Sequence, residues 1–256
     1  MKNLLLTLAI ISAFVNASNA GEICGKTSPP HTVALLELYT SEGCDSCPPA
    51  DKTVRHLQDL TGLSTEQLIP IALHVNYWDY IGWKDPYAQI FHAERQRDLA
   101  QHSRARGVYT PEFFINGQEL PNWRGDLIKY TKNINLQPAR ASLHLGITQV
   151  SENILLIKTE SVSQQADELH LVLLENGLVS QVKAGENKGS TLQHDAVARN
   201  WSNSIKLTAG SPHHETFQLA IPPQAVKSNL SVVGFIQNQN GAILQSLLLP
   251  VCKTQI

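Results

Sequence analysis

Hydrophobic stretches alternate with segments of helical spacing between residues 33 and 135. Residues 33–39 form an apolar run with a single acid, which is typical of a central strand covered on both faces. We predict a second strand at 69–75, a polar helix at 85–106, two short strands within 108–120 and a last helix at 125–133. Because strands and helices are interleaved, this part is predicted to be an α/β layer with a mostly parallel sheet.

After Pro138 the pattern changes to short stretches of alternating apolar and polar residues. Asn176-Gly177 and Asn240-Gly241 supply the turns that hairpins need. This pattern predicts an antiparallel β-sandwich of about eight strands. The predicted fold class is therefore an α/β domain at residues 21–138, followed by an all-β antiparallel sandwich domain at 139–256.

The first twenty residues have the pattern of a secretory signal peptide. Lys2 precedes an apolar core, and small residues lead to an expected cleavage after Ala20. The core is shorter than a membrane-spanning helix requires. We therefore expect residues 1–20 to be removed and the mature protein to be periplasmic or secreted, without membrane insertion. In such a compartment disulfides form and persist.

The balance of charges argues against nucleic acid as a partner. The chain has 20 Lys and Arg residues against 22 Asp and Glu residues, a formal net charge of −2. Binding to nucleic acid depends on concentrated positive charge.

The segment Cys44-Asp45-Ser46-Cys47 carries the clearest chemistry. Pro48 and Pro49 follow it and fit the first turn of a helix, so the cysteine pair is predicted to lie at a helix N-terminus. Backbone N–H groups and the helix dipole stabilise a thiolate there, which favours Cys44 as a nucleophile and Cys47 as the residue that resolves a mixed disulfide. Zinc sites commonly use two such pairs, and the sequence has only one. We expect neither a metal nor a cofactor.

Cys24 and Cys252 lie near the two ends of the mature chain. Chain termini are often close in space, so these cysteines are predicted to form a structural disulfide between the two halves. The alternative is a second redox pair that passes electrons to Cys44 and Cys47.

Tyr109-Thr110-Pro111 lies just before a predicted strand. Together with the cysteine pair and the β-α-β order, it resembles the thioredoxin fold. The resemblance implies that Pro111 is a cis-proline, and that Thr110 and Pro111 line the groove where a partner's extended chain docks. A trans-proline at the start of an edge strand is the alternative.

The same resemblance implies a buried acid on the first central strand, beneath the second cysteine. Glu37 is the candidate, and its role would be to accept the proton of the resolving thiol. The alternative is a carboxylate that is simply paired within the core.

Several segments resemble one bacterial family of secreted thioredoxin-like proteins, known as domain of unknown function 1223. The segments are 37–51, 74–79, 82–86, 109–111, 185–187 and 194–199. The resemblance spans nearly the whole mature chain and implies an α/β thioredoxin-like first domain. It does not imply a reaction.

These observations predict an exported thiol–disulfide oxidoreductase. Its partners would be protein thiols and disulfides, together with an unknown redox partner. Cys44 would attack a partner disulfide, Cys47 would resolve it, Thr110 and Pro111 would hold the partner backbone, and Trp78 would line the substrate site.

Two other functions stay open from the residues alone. One is a non-catalytic binding protein in which Cys44 and Cys47 form a structural bridge. The other is a periplasmic copper or metal chaperone that uses the two cysteines with His74.

Overall fold

The computed structural model describes residues 22–252. The predicted signal peptide at 1–20 lies outside these described residues. The elements up to residue 135 are β1 (Cys24–Thr27), β2 (Ala34–Thr40), α1 (Pro48–Arg55), α2 (Leu57–Thr61), β3 (Leu68–His74), α3 (Ile90–Ser103), β4 (Glu112–Ile115), β5 (Gln118–Glu119) and α4 (Trp123–Asn135). One 3₁₀ turn, Asp79–Ile81, lies between β3 and α3.

Strands dominate the rest of the chain. They are β6 (Ala141–Val150), β7 (Ile154–Ser163), β8 (Asp167–Glu175), β9 (Leu178–Gln181), β10 (Thr191–His194), β11 (Val197–Trp201), β12 (Ile205–Leu207), β13 (His213–Ala220), β14 (Leu230–Gln237) and β15 (Ile243–Pro250). A 3₁₀ turn at Lys227–Asn229 precedes β14.

One mixed sheet of nine strands runs through both halves of the chain. Its order is β15-β14-β8-β11-β3-β2-β4-β5, and β12 pairs with β8. The β2–β3 and β3–β11 pairs are parallel, and the other pairs are antiparallel. Within this sheet the halves join at the β3–β11 pair, where the Ala72 N–H donates to the carbonyl of Ala196 at 2.8 Å.

The predicted fold class, an α/β thioredoxin-like domain followed by a separate all-β sandwich, is wrong. Residues 22–252 are 41% strand and 20% helix, and their sheets are mixed and antiparallel. Hydrophobic patterns indicate which segments form strands, but they do not indicate which strand edges pair. The sequence pattern assigned no pairing partner to one edge of β3. In the structure β11, which comes more than 120 residues later, pairs with that edge.

The prediction of a β-sandwich in the second half is partly correct. A four-stranded antiparallel sheet, β1-β6-β7-β13, packs against the β14–β15 end of the large sheet. Leu143 and Leu145 of β6 pack with Leu171 of β8 in one buried cluster. A Cβ at Gly234 would lie 2.7 Å from the Leu143 side chain, so glycine permits this close approach of the sheets.

A disulfide joins Cys24 and Cys252, as predicted, with their Cα atoms 6.4 Å apart. It links β1 of the smaller sheet to the residues that follow β15 of the larger one. The bond therefore holds together the two faces of the sandwich.

Candidate redox site

Cys44 and Cys47 form a disulfide at the start of α1, with their Cα atoms 5.4 Å apart. Cys47 is the N-cap residue, and its carbonyl accepts the first helical hydrogen bond from the Ala50 N–H at 2.8 Å. Pro48 occupies the first helical position, where a missing N–H costs nothing. Both cysteines have 0% of their surface exposed, whereas Asp45 and Ser46 between them are exposed.

The Thr110–Pro111 peptide bond faces this disulfide and is cis. The sulfur of Cys44 lies 3.7 Å from the carbonyl oxygen of Thr110. Trp78 covers the same place, because its Nε1–H donates to Thr110 Oγ1 at 2.7 Å. The structure therefore brings together five of the residues predicted for the site: Cys44, Cys47, Thr110, Pro111 and Trp78.

Glu37 is not brought to the cysteines. Its carboxylate forms a two-pronged ion pair with Arg95 of α3, at 2.7 and 2.9 Å, and accepts the hydroxyl of Tyr39 at 3.0 Å. Thr40, which lies beside Asp51 of α1, is three residues further along β2 and so points to the opposite face of the sheet. The Glu37 carboxylate is thus paired within the core, as in the alternative to a catalytic role.

Behind the disulfide lies a group of buried acids and histidines that the sequence did not predict as a site. Glu42 Oε2 accepts the Trp83 Nε1–H at 2.8 Å, and Glu42 Oε1 lies 3.1 Å from His194 Nε2. On its other side, His194 Nδ1 lies 3.9 Å from an oxygen of Asp51. Burial raises the pKa of Asp51 above its usual value, and nearby His194 opposes the rise only in part.

His74 and Asp85 form a second buried pair in this group, with His74 Nδ1 2.7 Å from Asp85 Oδ2. Burial alone would lower the pKa of His74, but the Asp85 carboxylate and other nearby acids raise it above its usual value. Burial would likewise raise the pKa of Asp85, but His74 and backbone N–H donors hold it below its usual value. One of those donors is the N–H of Glu42 at 2.9 Å, so the pair supports the loop that leads to Cys44.

The second half of the chain also holds this loop directly. Asn187 is buried, and its Nδ2 donates to the carbonyl oxygens of Glu42 and Cys44, each at 2.9 Å. The carboxylate of Glu186 accepts the N–H of Asp45 at 3.1 Å. The segment 185–187 stood out in the sequence only through its family resemblance, because a contact across more than 140 residues leaves no local pattern.

The family model for proteins of unknown function named DUF1223 matches residues 35–237. The chain belongs to this family. The match includes the cysteine pair, the Thr110–Pro111 bond and the 185–194 segment, whereas Cys24 and Cys252 lie outside it.

Among solved structures, the chain is similar to protein AGR_C_4864 from Agrobacterium tumefaciens. The two are 22% identical with a TM-score of 0.58, over 89% of this chain and 99% of the other, which supports the fold of this DUF1223 member. A FixG-related protein from Vibrio parahaemolyticus is 11% identical with a TM-score of 0.23, over 38% of this chain and 72% of that one, and we draw no inference from it. No curated protein matches.

Within residues 22–252, no group of three or more His, Cys, Asp or Glu side chains is arranged to hold a metal ion. In the same range, none of the helices has the length and apolar character to cross a membrane.

Proposed function

We propose that this DUF1223 protein is an exported thiol–disulfide oxidoreductase that acts on protein thiols and disulfides through Cys44 and Cys47. The observation that carries the proposal is the position of this disulfide. It lies at the N-terminus of α1, with the sulfur of Cys44 3.7 Å from the carbonyl oxygen of the cis Thr110–Pro111 bond. A close cysteine pair at a helix N-terminus is suited to thiol–disulfide exchange, because the helix end stabilises the thiolate that attacks.

In the reducing direction, the thiolate of Cys44 attacks one sulfur of a partner disulfide. A bond forms between Cys44 and the partner, and the other partner sulfur leaves as a thiolate. Cys47 then loses its proton and attacks Cys44 Sγ, which releases the second partner thiolate and restores the intramolecular disulfide. Two electrons pass from the protein to the partner, and the oxidising direction is the reverse.

Export is part of the same proposal. The apolar core of residues 4–15 and the small residues before Ala20 support a signal peptide. Two disulfides in one chain fit an oxidising compartment, because thiols stay reduced in the cytosol.

One observation favours a second candidate, a non-catalytic binding protein whose cysteines are locked. Both cysteines are fully covered, and Trp78 closes the approach past Thr110. A disulfide that thiols cannot reach is chemically inert. Under the first proposal the Trp78 segment moves aside for a partner, and under the second it does not.

Thiol exchange of the native protein separates the two functions. The mature protein is incubated with dithiothreitol, and each cysteine is then alkylated and quantified by peptide mass spectrometry. Under our proposal Cys44–Cys47 is reduced within minutes, and in redox buffers it equilibrates at a defined potential. A value near −270 mV would indicate a reductant, and one between about −180 and −120 mV an isomerase or oxidase. A pair that stays oxidised until the protein unfolds contradicts the proposal and supports the locked disulfide.

A further inference from the structure

Asp51 lies one helical turn after Cys47 on α1. Its N–H donates to the Cys47 carbonyl at 3.2 Å, and side chains four residues apart in a helix share one face. Only 6% of Asp51 is exposed, and Cys47 is fully buried. The carboxyl group is therefore inside the protein, on the same face of the helix as the resolving cysteine.

His194, from β10 in the second half, stands between Asp51 and the loop before Cys44. It is 2% exposed, with Nδ1 3.9 Å from Asp51 and Nε2 3.1 Å from Glu42. Within the described residues, His194 Nδ1 and Asp51 Oδ1 have no hydrogen-bond partner. A cleft of about 240 Å³ between α1 and β10 is lined by Asp51, His194, Lys52 and Arg55, so it connects the pair to solvent.

We propose that Asp51 exchanges a proton with Cys47 during thiol exchange, that His194 positions the Asp51 carboxyl group, and that the α1–β10 cleft gives this carboxyl group access to solvent. The inference rests on the proposed function. When a dithiol attacks Cys44, a bond forms between its sulfur and Cys44 Sγ, and the Cys44–Cys47 bond breaks. Cys47 leaves with the electron pair and takes a proton from the carboxyl group of Asp51. In the opposite direction the Asp51 carboxylate accepts the Cys47 proton.

The charges around Asp51 suit this role. Burial raises the pKa of Asp51, which increases the fraction of the carboxyl that carries a proton near neutral pH. The groups that face it are His194 from β10, His74 from β3, and Asp85 from the segment after β3. Glu42 lies on the far side of His194, 3.1 Å from its Nε2.

The test is the pH dependence of the reduction of Cys44–Cys47 by dithiothreitol, with each rate divided by the concentration of dithiothreitol thiolate. In the wild type this normalised rate should fall as the pH rises through the pKa of Asp51. In Asp51→Asn it should be about 10²-fold lower at acidic pH and independent of pH. Asp51→Glu should retain the pH dependence. Asp59→Asn, which removes an exposed carboxylate from nearby α2, is the matched control and should behave as the wild type.

The outcomes separate the two proposals. If the wild type is not reduced at all while folded, the proposed function fails. If the wild type is reduced but Asp51→Asn keeps its rate and pH profile, only the proton path fails. Should Asp51→Asn not fold, a flat normalised profile in the wild type, or an unchanged profile in His194→Gln, would overturn the proposal.

Discussion

At the scale of single residues, two neighbouring buried histidines show how a nearby carboxylate changes the pKa of an imidazole. His92 Nδ1 lies 2.8 Å from the carbonyl oxygen of His74, yet their pKa values shift in opposite directions. Burial lowers the pKa of His92 to about 4, whereas Asp85 and other acids outweigh burial at His74. The carboxylate beside His74 makes the difference, because both rings are equally removed from solvent.

This contrast predicts separate titrations in an NMR experiment on the imidazole nitrogens. His92 should stay neutral from pH 5 to 8, and His74 should keep its proton above the usual value of about 6.5. In Asp85→Asn the pKa of His74 should fall, since the largest contribution that opposes burial is removed and only the weaker effects of Asp51 and Glu42 remain. A His74 that titrates near 6.5 in both proteins would contradict the assignment.

The same substitution has a pH-dependent effect on stability. A raised folded-state pKa at His74 stabilises the fold fully below about pH 6.5, and this contribution is lost as the pH rises through the folded value. We expect Asp85→Asn to lower the free energy of unfolding by about 3–5 kcal/mol at pH 5.5, because it leaves a buried charge without its partner. The loss should be smaller at pH 9. Urea denaturation measures both, and Glu152→Gln in the exposed loop after β6 is the control, with an effect below about 0.5 kcal/mol.

At the scale of elements, the order of the first helices and strands could be predicted, but their packing could not. The two short strands predicted within 108–120 are β4 and β5, and Asn116 and Gly117 between them both have positive φ, 48° and 79°, as a two-residue hairpin requires. The predicted helix from 85 begins only at Ile90, because Asp85 is used as a buried acceptor. The pairing of Glu37 could not be predicted either, because its partner, Arg95, is 58 residues away in the chain.

Asn187 offers a test of how the second half holds the CxxC loop. Asn187→Ala removes two hydrogen bonds and leaves the carbonyls of Glu42 and Cys44 without that donor, so the free energy of unfolding should fall by about 2 kcal/mol. Amide hydrogen exchange should increase locally in residues 42–47. Exposed Lys188→Ala should change neither quantity. Equal protection of the loop in both variants would show that the Asn187 contacts do not hold it.

At the scale of the whole molecule, the large sheet brings the residues of the site together at one edge. The loop with Cys44 and Cys47 follows the carboxyl end of β2, and His74 is the last residue of β3. The β3–β11 pair brings His194, which precedes β11, to the same edge. The cysteine pair could be proposed from its own short motif, and Thr110 and Pro111 from the resemblance to a known fold. The roles of Asp51, His194 and Asn187 could not be predicted from the sequence, because they depend on a strand pairing that no local pattern specifies.

The Cys24–Cys252 disulfide gives the last prediction. This bond closes a loop of 228 residues. It lowers the conformational entropy of the unfolded chain, so removing the bond stabilises the unfolded state. The double substitution of Cys24→Ser and Cys252→Ser should lower the free energy of unfolding by about 2–5 kcal/mol in urea denaturation. If this bond is only structural, the rate and potential of Cys44–Cys47 exchange should match those of the wild type below the unfolding transition. A slower exchange or a shifted potential in the folded variant would instead support the alternative, in which Cys24 and Cys252 pass electrons to the CxxC pair.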